Sequence, residues 1–183
     1  MIPRKPFYFL RHGETDHNVK PALTNDDFDM PLNACGVKQA QGVRTIIQDL
    51  PAQVIYHSPL LRAKQTMEVI ALSLTHQRVE VEELKECLPH VWLSMCRMSR
   101  RGCSPCDASQ RFFNKVIRAM KGILKDERIP LLVAHGGVHF ALCHLLEVKD
   151  HSKAIDNCSL VYFSPTGQSS WSVNQVFPSL PTC

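Results

Sequence analysis

The sequence predicts an α/β fold, a three-layer α/β/α sandwich with a largely parallel central sheet and a short insertion over its edge. Three observations lead there. Short runs rich in Phe, Tyr, Val, Ile and Leu alternate along the chain with stretches of helical periodicity. The runs at 7–10 ("FYFL") and 130–134 ("PLLVA") read as strands buried inside the sheet. A length of 183 residues, 44% hydrophobic and 21% charged, suits one globular domain with a substantial core.

The elements follow in order. Residues 6–10 read as a strand, 36–49 as an amphipathic helix and "QVIYH" at 53–57 as a second strand. Ser58-Pro59 supplies an N-cap and a proline at the first helical position. The helix so started, about 59–74, carries Leu60, Met67, Ile70 and Leu74 at helical spacing. "RVEVEEL" at 78–84 suggests another strand. Residues 87–108, "CLPHVWLSMCRMSRRGCSPCDA", show no clean period and predict a loop or short helical insertion. A helix at 109–126, the strand at 130–134 and a helix at 138–148 come next. "CSLVYFSP" and "SSWSVNQVF" read as two closing strands. Without repeats or low-complexity tracts, residues 1–183 are expected to form one domain, with the irregular insertion at about 87–108.

Bulk properties narrow the function. A net charge of +4 is too mild to indicate a nucleic-acid partner. The longest apolar runs fall far short of a membrane span, and the four apolar residues near the N-terminus are too few for a signal peptide. A cytoplasmic protein is therefore expected. Its eight cysteines then read as reduced thiols. Cys103 and Cys106 form a CxxC, with Cys87 and Cys96 upstream, but a zinc site usually presents two tight pairs.

The chemistry is expected at the carboxyl ends of the strands, where open α/β sheets bind ligands. Strand 6–10 ends in Arg11-His12-Gly13, and strand 53–57 leads to a helix with Arg62 in its first turn. Strand 130–134 ends in His135-Gly136-Gly137, which opens a helix. Arg11 and His12 side by side at a buried strand end are costly unless an anion compensates them. An ion network with Glu14 or Asp16 would explain that pair alone. Two arginines, two histidines and free amides at a helix N-terminus together suit a phosphate.

At this point the chain resembles the histidine phosphatase superfamily, in its cofactor-dependent phosphoglycerate mutase-like branch. The likeness rests on "LRHGET" with Asn18 six residues after His12, on "SPLLRAKQT" and on "VAHGG". "DMPLNACGVKQA", "ELKE" and "NCSLVYF" extend it in order over essentially the whole chain. The resemblance implies that His12 is a nucleophile, forming a phosphohistidine. Arg11, Arg62 and His135 would oppose its protonation and neutralise the transferring phosphoryl oxygens. Asn18, Thr24 and the Gly136 amide would add phosphate contacts, with no metal and no cofactor. The proton donor of the branch's Leu-basic-Glu triplet maps onto Glu86, with Glu83 as the fallback. "CLPHVWLS" departs from the branch's usual G-x-W-E-G, keeping Trp92 but placing His90, Leu93 and Ser94 elsewhere in the pattern. Asn25 stands where the branch has glycine after Thr24.

The implied function is a metal-independent phosphatase acting on a small phosphomonoester, since the short 87–108 insertion argues for transfer to water. A protein phosphohistidine phosphatase is the alternative, which "ELKE" opposes. A catalytically idle phosphate-binding module is a further one, which the complete set of His12, Arg11, Arg62 and His135 opposes. A zinc site on His135, His139 and Cys143 would lack the glutamate of an HExxH helix. Arg97, Arg100 and Arg101 could clamp a second anionic group, although such clusters are more often a solvated face.

Overall fold

Six strands join in one sheet in the computed structural model, which describes residues 2–20, 29–148 and 155–178. They are β1 (Phe7–Arg11), β2 (Val54–His57), β3 (Gln77–Glu80), β4 (Pro130–Ala134), β5 (Leu160–Thr166) and β6 (Ser170–Phe177). Their order across the sheet is β3-β2-β4-β1-β5-β6. The first four are mutually parallel, while β5 runs antiparallel to β1 and β6 to β5. The sheet is thus largely parallel, with an antiparallel hairpin at one edge.

Side chains alternate across the pleat and so build two cores. Phe7, Phe9, Val54, Tyr56, Leu132 and Ala134 face one side. Tyr8, Leu10, Ile55, Leu131 and Val133 face the other. Helices α2 (Ala34–Gln48) and α3 (Leu61–Ile70) cover the second side with Ala40, Val43, Ile47, Ala63, Met67 and Ile70. Helices α4 (Pro89–Arg101), α5 (Asp107–Ile123) and α6 (Gly136–Leu145) cover the first, with Met95, Val116, Met120, Val138 and Leu142. Each buried Val, Leu, Ile, Phe or Met side chain among these contributes about 1.5–3 kcal/mol. The three expected layers are present, and the central strands are apolar throughout because both of their faces are covered.

Of the loop or short helical insertion expected at 87–108, residues Pro89–Arg101 form a regular helix. α4 begins with Pro89 in its first turn and ends at Gly102, whose left-handed φ of +63° lets its N–H reach the Met98 carbonyl at 2.9 Å. Its buried residues, Val91, Met95 and Met98, do keep helical spacing. Leu93, 63% exposed, and half-buried Trp92 obscure that period in the sequence.

Three other boundaries differ. α3 is capped by Leu60 rather than Ser58, because the Ser58 hydroxyl is engaged elsewhere, accepting from the Leu60 N–H and meeting His135. β3 stops at Glu80, after which the Val81 N–H bonds the His57 carbonyl and a 3₁₀ turn over Glu82–Leu84 buries Leu84. That turn carries the chain back over the sheet end and delivers Glu86. A four-residue helix, α1 (Asp16–Val19), follows β1 on a capping box between Thr15 and Asn18.

Candidate active site

The parallel strands β1, β2 and β4 end level, and their following residues stay tied to the sheet. The His12 N–H bonds Ala134 O at 2.9 Å and the Ser58 N–H bonds Val133 O at 3.0 Å. These bonds bring His12, Ser58 with Arg62, and His135 to one spot at the carboxyl end of the sheet.

His12 is buried at 3% exposure, with its ring 5.2 Å from that of His135. Its Nδ1–H donates to Gly13 O at 2.7 Å, which leaves Nε2 as the unprotonated nitrogen. Arg62 Nε–H donates to that Nε2 at 3.3 Å. Burial drives the His12 pKa well below its ordinary value; the Arg11 and Arg62 charges add to this, and the Gly13 bond opposes it. His135, fully buried, is lowered in the same way by burial, then by His12, Arg62, Arg11 and Lys115. Both imidazoles are therefore neutral.

Arg11 Nη1 donates to Ile155 O at 2.5 Å, and its guanidinium lies beside Gly136, where an added Cβ would stand 3.8 Å from Cζ. Three buried side-chain nitrogens have no hydrogen-bond partner among the described residues, and two of them, Arg11 Nε and His135 Nδ1, belong to this site. Orphaned buried polar atoms are rare in folded proteins and call for an explanation.

Glu86 reaches the same place from the far side. Its Oε2 accepts from the Gly137 N–H at 3.0 Å and its Oε1 from its neighbour Cys87 N–H at 2.9 Å. The carboxylate thus sits at the N-terminus of α6, where the helix dipole favours negative charge. A Cβ at Gly137 would overlap the Glu86 carboxylate and stand 2.8 Å from Cys87 Sγ, so any side chain there would displace the acid. Lys115 on α5 bonds Lys85 O at 2.8 Å, and Cys87 and Glu86 oppose the fall in its pKa that burial causes. Glu83 remains in the 3₁₀ turn, and Glu86 is the acid that meets α6.

Asn18 closes the turn after the His12 loop. Its Oδ1 accepts from Thr15 N–H at 3.0 Å and from Asn157 Nδ2 at 3.2 Å, leaving only its amide nitrogen to donate. Thr24 lies outside the described residues. The zinc reading of His135, His139 and Cys143 is not assembled: His135 faces Ser58, while His139 packs between Phe9 and Phe163 with Cys143 Sγ 3.7 Å from Nε2. Among the described residues no three His, Cys, Asp or Glu side chains gather as a metal site requires. No described helix is long and apolar enough to cross a membrane.

Sequence reasoning missed the residues that hold this loop still. Asn33 caps α2 through Gly36 N–H at 2.8 Å, and its own N–H bonds Glu14 O at 3.0 Å. Gln39 Oε1 accepts from Glu14 N–H at 2.9 Å, and Asn33 Nδ2 reaches Glu14 Oε1 at 3.0 Å. Thr66 accepts from Gly13 N–H at 3.0 Å and donates to Arg62 O at 2.7 Å, linking nucleophile loop and arginine helix. Asn157 Nδ2 bonds His12 O at 3.0 Å. The polar residues at fixed spacing in "DMPLNACGVKQA" and "SPLLRAKQT" were the signal available for most of them.

Comparison with known proteins gives the same picture. The model of the histidine phosphatase superfamily (branch 1) matches residues 7–101. The uncharacterized phosphatase PhoE of Bacillus subtilis is 40% identical over 77 residues, which cover 42% of this chain and 39% of that protein. An agropine synthesis reductase of Rhizobium rhizogenes is 29% identical over 181 residues, covering 92% of this chain and 41% of the relative. The matches thus span about two fifths of these relatives' own lengths. Among solved structures, a mycobacterial glucosyl-3-phosphoglycerate phosphatase in complex with VO3 superposes with a TM-score of 0.71 at 20% identity, covering 95% of this chain and 99% of that one. The α-ribazole phosphatase of Shigella flexneri gives 0.72 at 20% identity, over 93% and 95%. At these identities the likeness shows the shared fold.

Proposed function

Because the chain belongs to the histidine phosphatase superfamily, we propose that it is a metal-independent phosphatase that hydrolyses a small phosphomonoester through a phosphohistidine on His12. The observation that carries this reading is the unprotonated Nε2 of His12, at a site that also holds two buried nitrogens without partners among the described residues, Arg11 Nε and His135 Nδ1. A phosphoryl group in front of Nε2 would satisfy both. Arg62, now donating to Nε2, would turn its hydrogen bond to a phosphoryl oxygen and release the lone pair.

The steps balance. His12 Nε2 attacks phosphorus, the P–O ester bond breaks, and Glu86 protonates the leaving alkoxide. Glu86 then takes a proton from water, whose oxygen attacks phosphorus as the P–N bond breaks, returning neutral His12 and inorganic phosphate. The two guanidinium groups of Arg11 and Arg62 would face the phosphate dianion, whose oxygens they suit as bidentate donors. Positioning and electrostatics supply most of the catalysis in such transfers. The Gly136 amide and Asn18 nitrogen would add donors, and Thr24 a further contact.

We read residues 1–183 as one domain and place it in the cytoplasm, where thiols stay reduced. The deciding experiment is hydrolysis of p-nitrophenyl phosphate in excess EDTA by wild type and His12→Ala in parallel. Turnover that survives the chelator and disappears in the variant is expected. Activity lost to EDTA, or retained by the variant, overturns the mechanism; no activity in either protein favours the phosphate-binding module.

A further inference from the structure

Ser58 was expected to cap a helix, yet its side chain is fully buried and its Oγ lies 2.7 Å from His135 Nε2. We infer that Ser58 is a positioning residue that holds His135 as its Nδ1–H tautomer, making Nδ1–H the donor to the transferring phosphoryl group. The inference rests on the phosphotransfer reading above for what the donor meets, but not for the tautomer itself.

The argument is a count of protons and lone pairs. The Leu60 N–H donates to Ser58 Oγ at 3.2 Å, occupying one lone pair. The hydroxyl has one proton to give, and His135 Nε2 is the acceptor it reaches. With Nε2 accepting, every polar atom of the pair is satisfied except Nδ1–H, a buried donor without a partner among the described residues. With the other tautomer, Nε2–H would donate to Oγ. The hydroxyl proton would then be left without an acceptor in a fully buried place, and Nδ1 would present a bare lone pair. That lone pair would repel an anion, and a buried unsatisfied hydroxyl adds its own desolvation cost.

Protonating both nitrogens is the remaining option, and the surroundings oppose it. Arg62 from α3, Arg11 from β1 and Lys115 from α5 all place positive charge towards a ring that is already buried. A neutral ring can donate at one nitrogen only, so the choice of tautomer decides whether His135 helps or hinders. His135 is also the N-cap residue of α6, whose first amides lack intrahelical partners, so a donor on its ring would add to an end of the helix that already favours an anion.

The test is a long-range 1H–15N correlation spectrum of His135 in the ligand-free protein, for wild type, Ser58→Ala and Ser58→Thr, with p-nitrophenyl phosphate kinetics on each. Wild type and Ser58→Thr should show protonated Nδ1 and bare Nε2. Ser58→Ala should show the proton shared between the nitrogens or moved to Nε2, with kcat reduced about 10- to 100-fold and Ser58→Thr restoring most of it. An Nε2–H or doubly protonated His135 in wild type overturns the inference, even if Ser58→Ala fails to fold. So does an Nδ1–H tautomer that persists in a folded Ser58→Ala. If His12→Ala keeps wild-type turnover, the phosphohistidine reading fails while the tautomer result stands on the spectra alone.

Discussion

Replacing Gly36 with alanine should disarm the nucleophile from a position that touches no substrate. A Cβ at Gly36 would fall on the Glu14 carbonyl oxygen, 2.6 Å from Glu14 N and 2.9 Å from its carbonyl carbon. The contact is reciprocal, since a Cβ on Gly13 would stand 2.5 Å from Gly36 O. Both partners are backbone, so no rotamer change relieves the overlap; α2 and the 13–14 loop must separate by roughly an ångström, at the ~1–3 kcal/mol typical of overpacking. Separation also stretches the Asn33 N–H···O Glu14 bond and the Glu14 N–H···Oε1 Gln39 bond, about 1 kcal/mol each. Alanine's better helix propensity returns about 1 kcal/mol. The net expectation is a loss of about 2–4 kcal/mol in urea unfolding. An ångström of displacement one residue from His12 should lower kcat/KM on p-nitrophenyl phosphate by ~10²-fold in the folded enzyme. Gly122→Ala is the control: it lies in α5 with nothing within 4 Å of a new Cβ, and should gain about 1 kcal/mol with unchanged turnover. Wild-type stability in Gly36→Ala would refute the packing argument. Lowered stability with an intact kcat/KM would refute the claim that this contact sets the nucleophile.

Stability should depend on acid through His12 and His135. Their folded pKa values lie well below 6.5, so above that pH neither state binds the proton and the two contribute no slope. As pH falls below 6.5 the unfolded chain protonates first, and up to about 1.4 kcal/mol per pH unit is lost for each histidine. Between pH 7.5 and 5.5, urea unfolding of wild type should lose about 2–3 kcal/mol more than that of the His12→Gln/His135→Gln variant, and parallel losses would contradict the assignment. Cys106 should be the thiol that reacts first with a disulfide reagent at neutral pH, with a rate inflection near pH 6. It is exposed, and hydrogen bonds from Ser109 and then Ser94 hold its pKa down at about 6, whereas burial pushes Cys143 and Cys158 up to about 12. Ser109→Ala should move the Cys106 inflection upward; peptide mapping that finds another cysteine labelled first would count against it.

The sheet was legible because its central strands are covered on both faces, so "FYFL" and "PLLVA" read as buried runs whichever neighbour they take. Arg11, His12 and His135 drew notice because charged or titratable groups directly after such runs are costly, and Arg62 because it joins them from the first turn of the helix after β2. α4 was only half legible, as a loop or a short helical insertion, because half-buried Trp92 and exposed Leu93 fill positions that a helical pattern reserves for polar residues. Ser58 was misread for a physical reason too. A serine before a proline satisfies the capping rule locally, and only the arrival of β4, far along the chain, supplies His135 as the competing partner.

The residues that do chemistry and those that hold them differ in what the sequence can reveal. His12 attracts notice by being costly, and its cost shows in its immediate neighbours. Asn33, Gly36, Gln39 and Thr66 are inexpensive where they stand, and their meaning exists only across space, where they grip Gly13, Glu14 and Arg62. Yet the geometry depends on them equally. His12 presents Nε2 because Gly13 O takes its other nitrogen, and Gly13 is fixed by Thr66, which is also bonded to the helix carrying Arg62. A single threonine thus ties the His12 loop to the Arg62 helix, so the arginine proposed to bind the phosphoryl group moves with the nitrogen proposed to attack it. Placing the pair on one hydrogen-bonded unit is what allows two neutral imidazoles and two buried cations to be preorganised before any anion arrives.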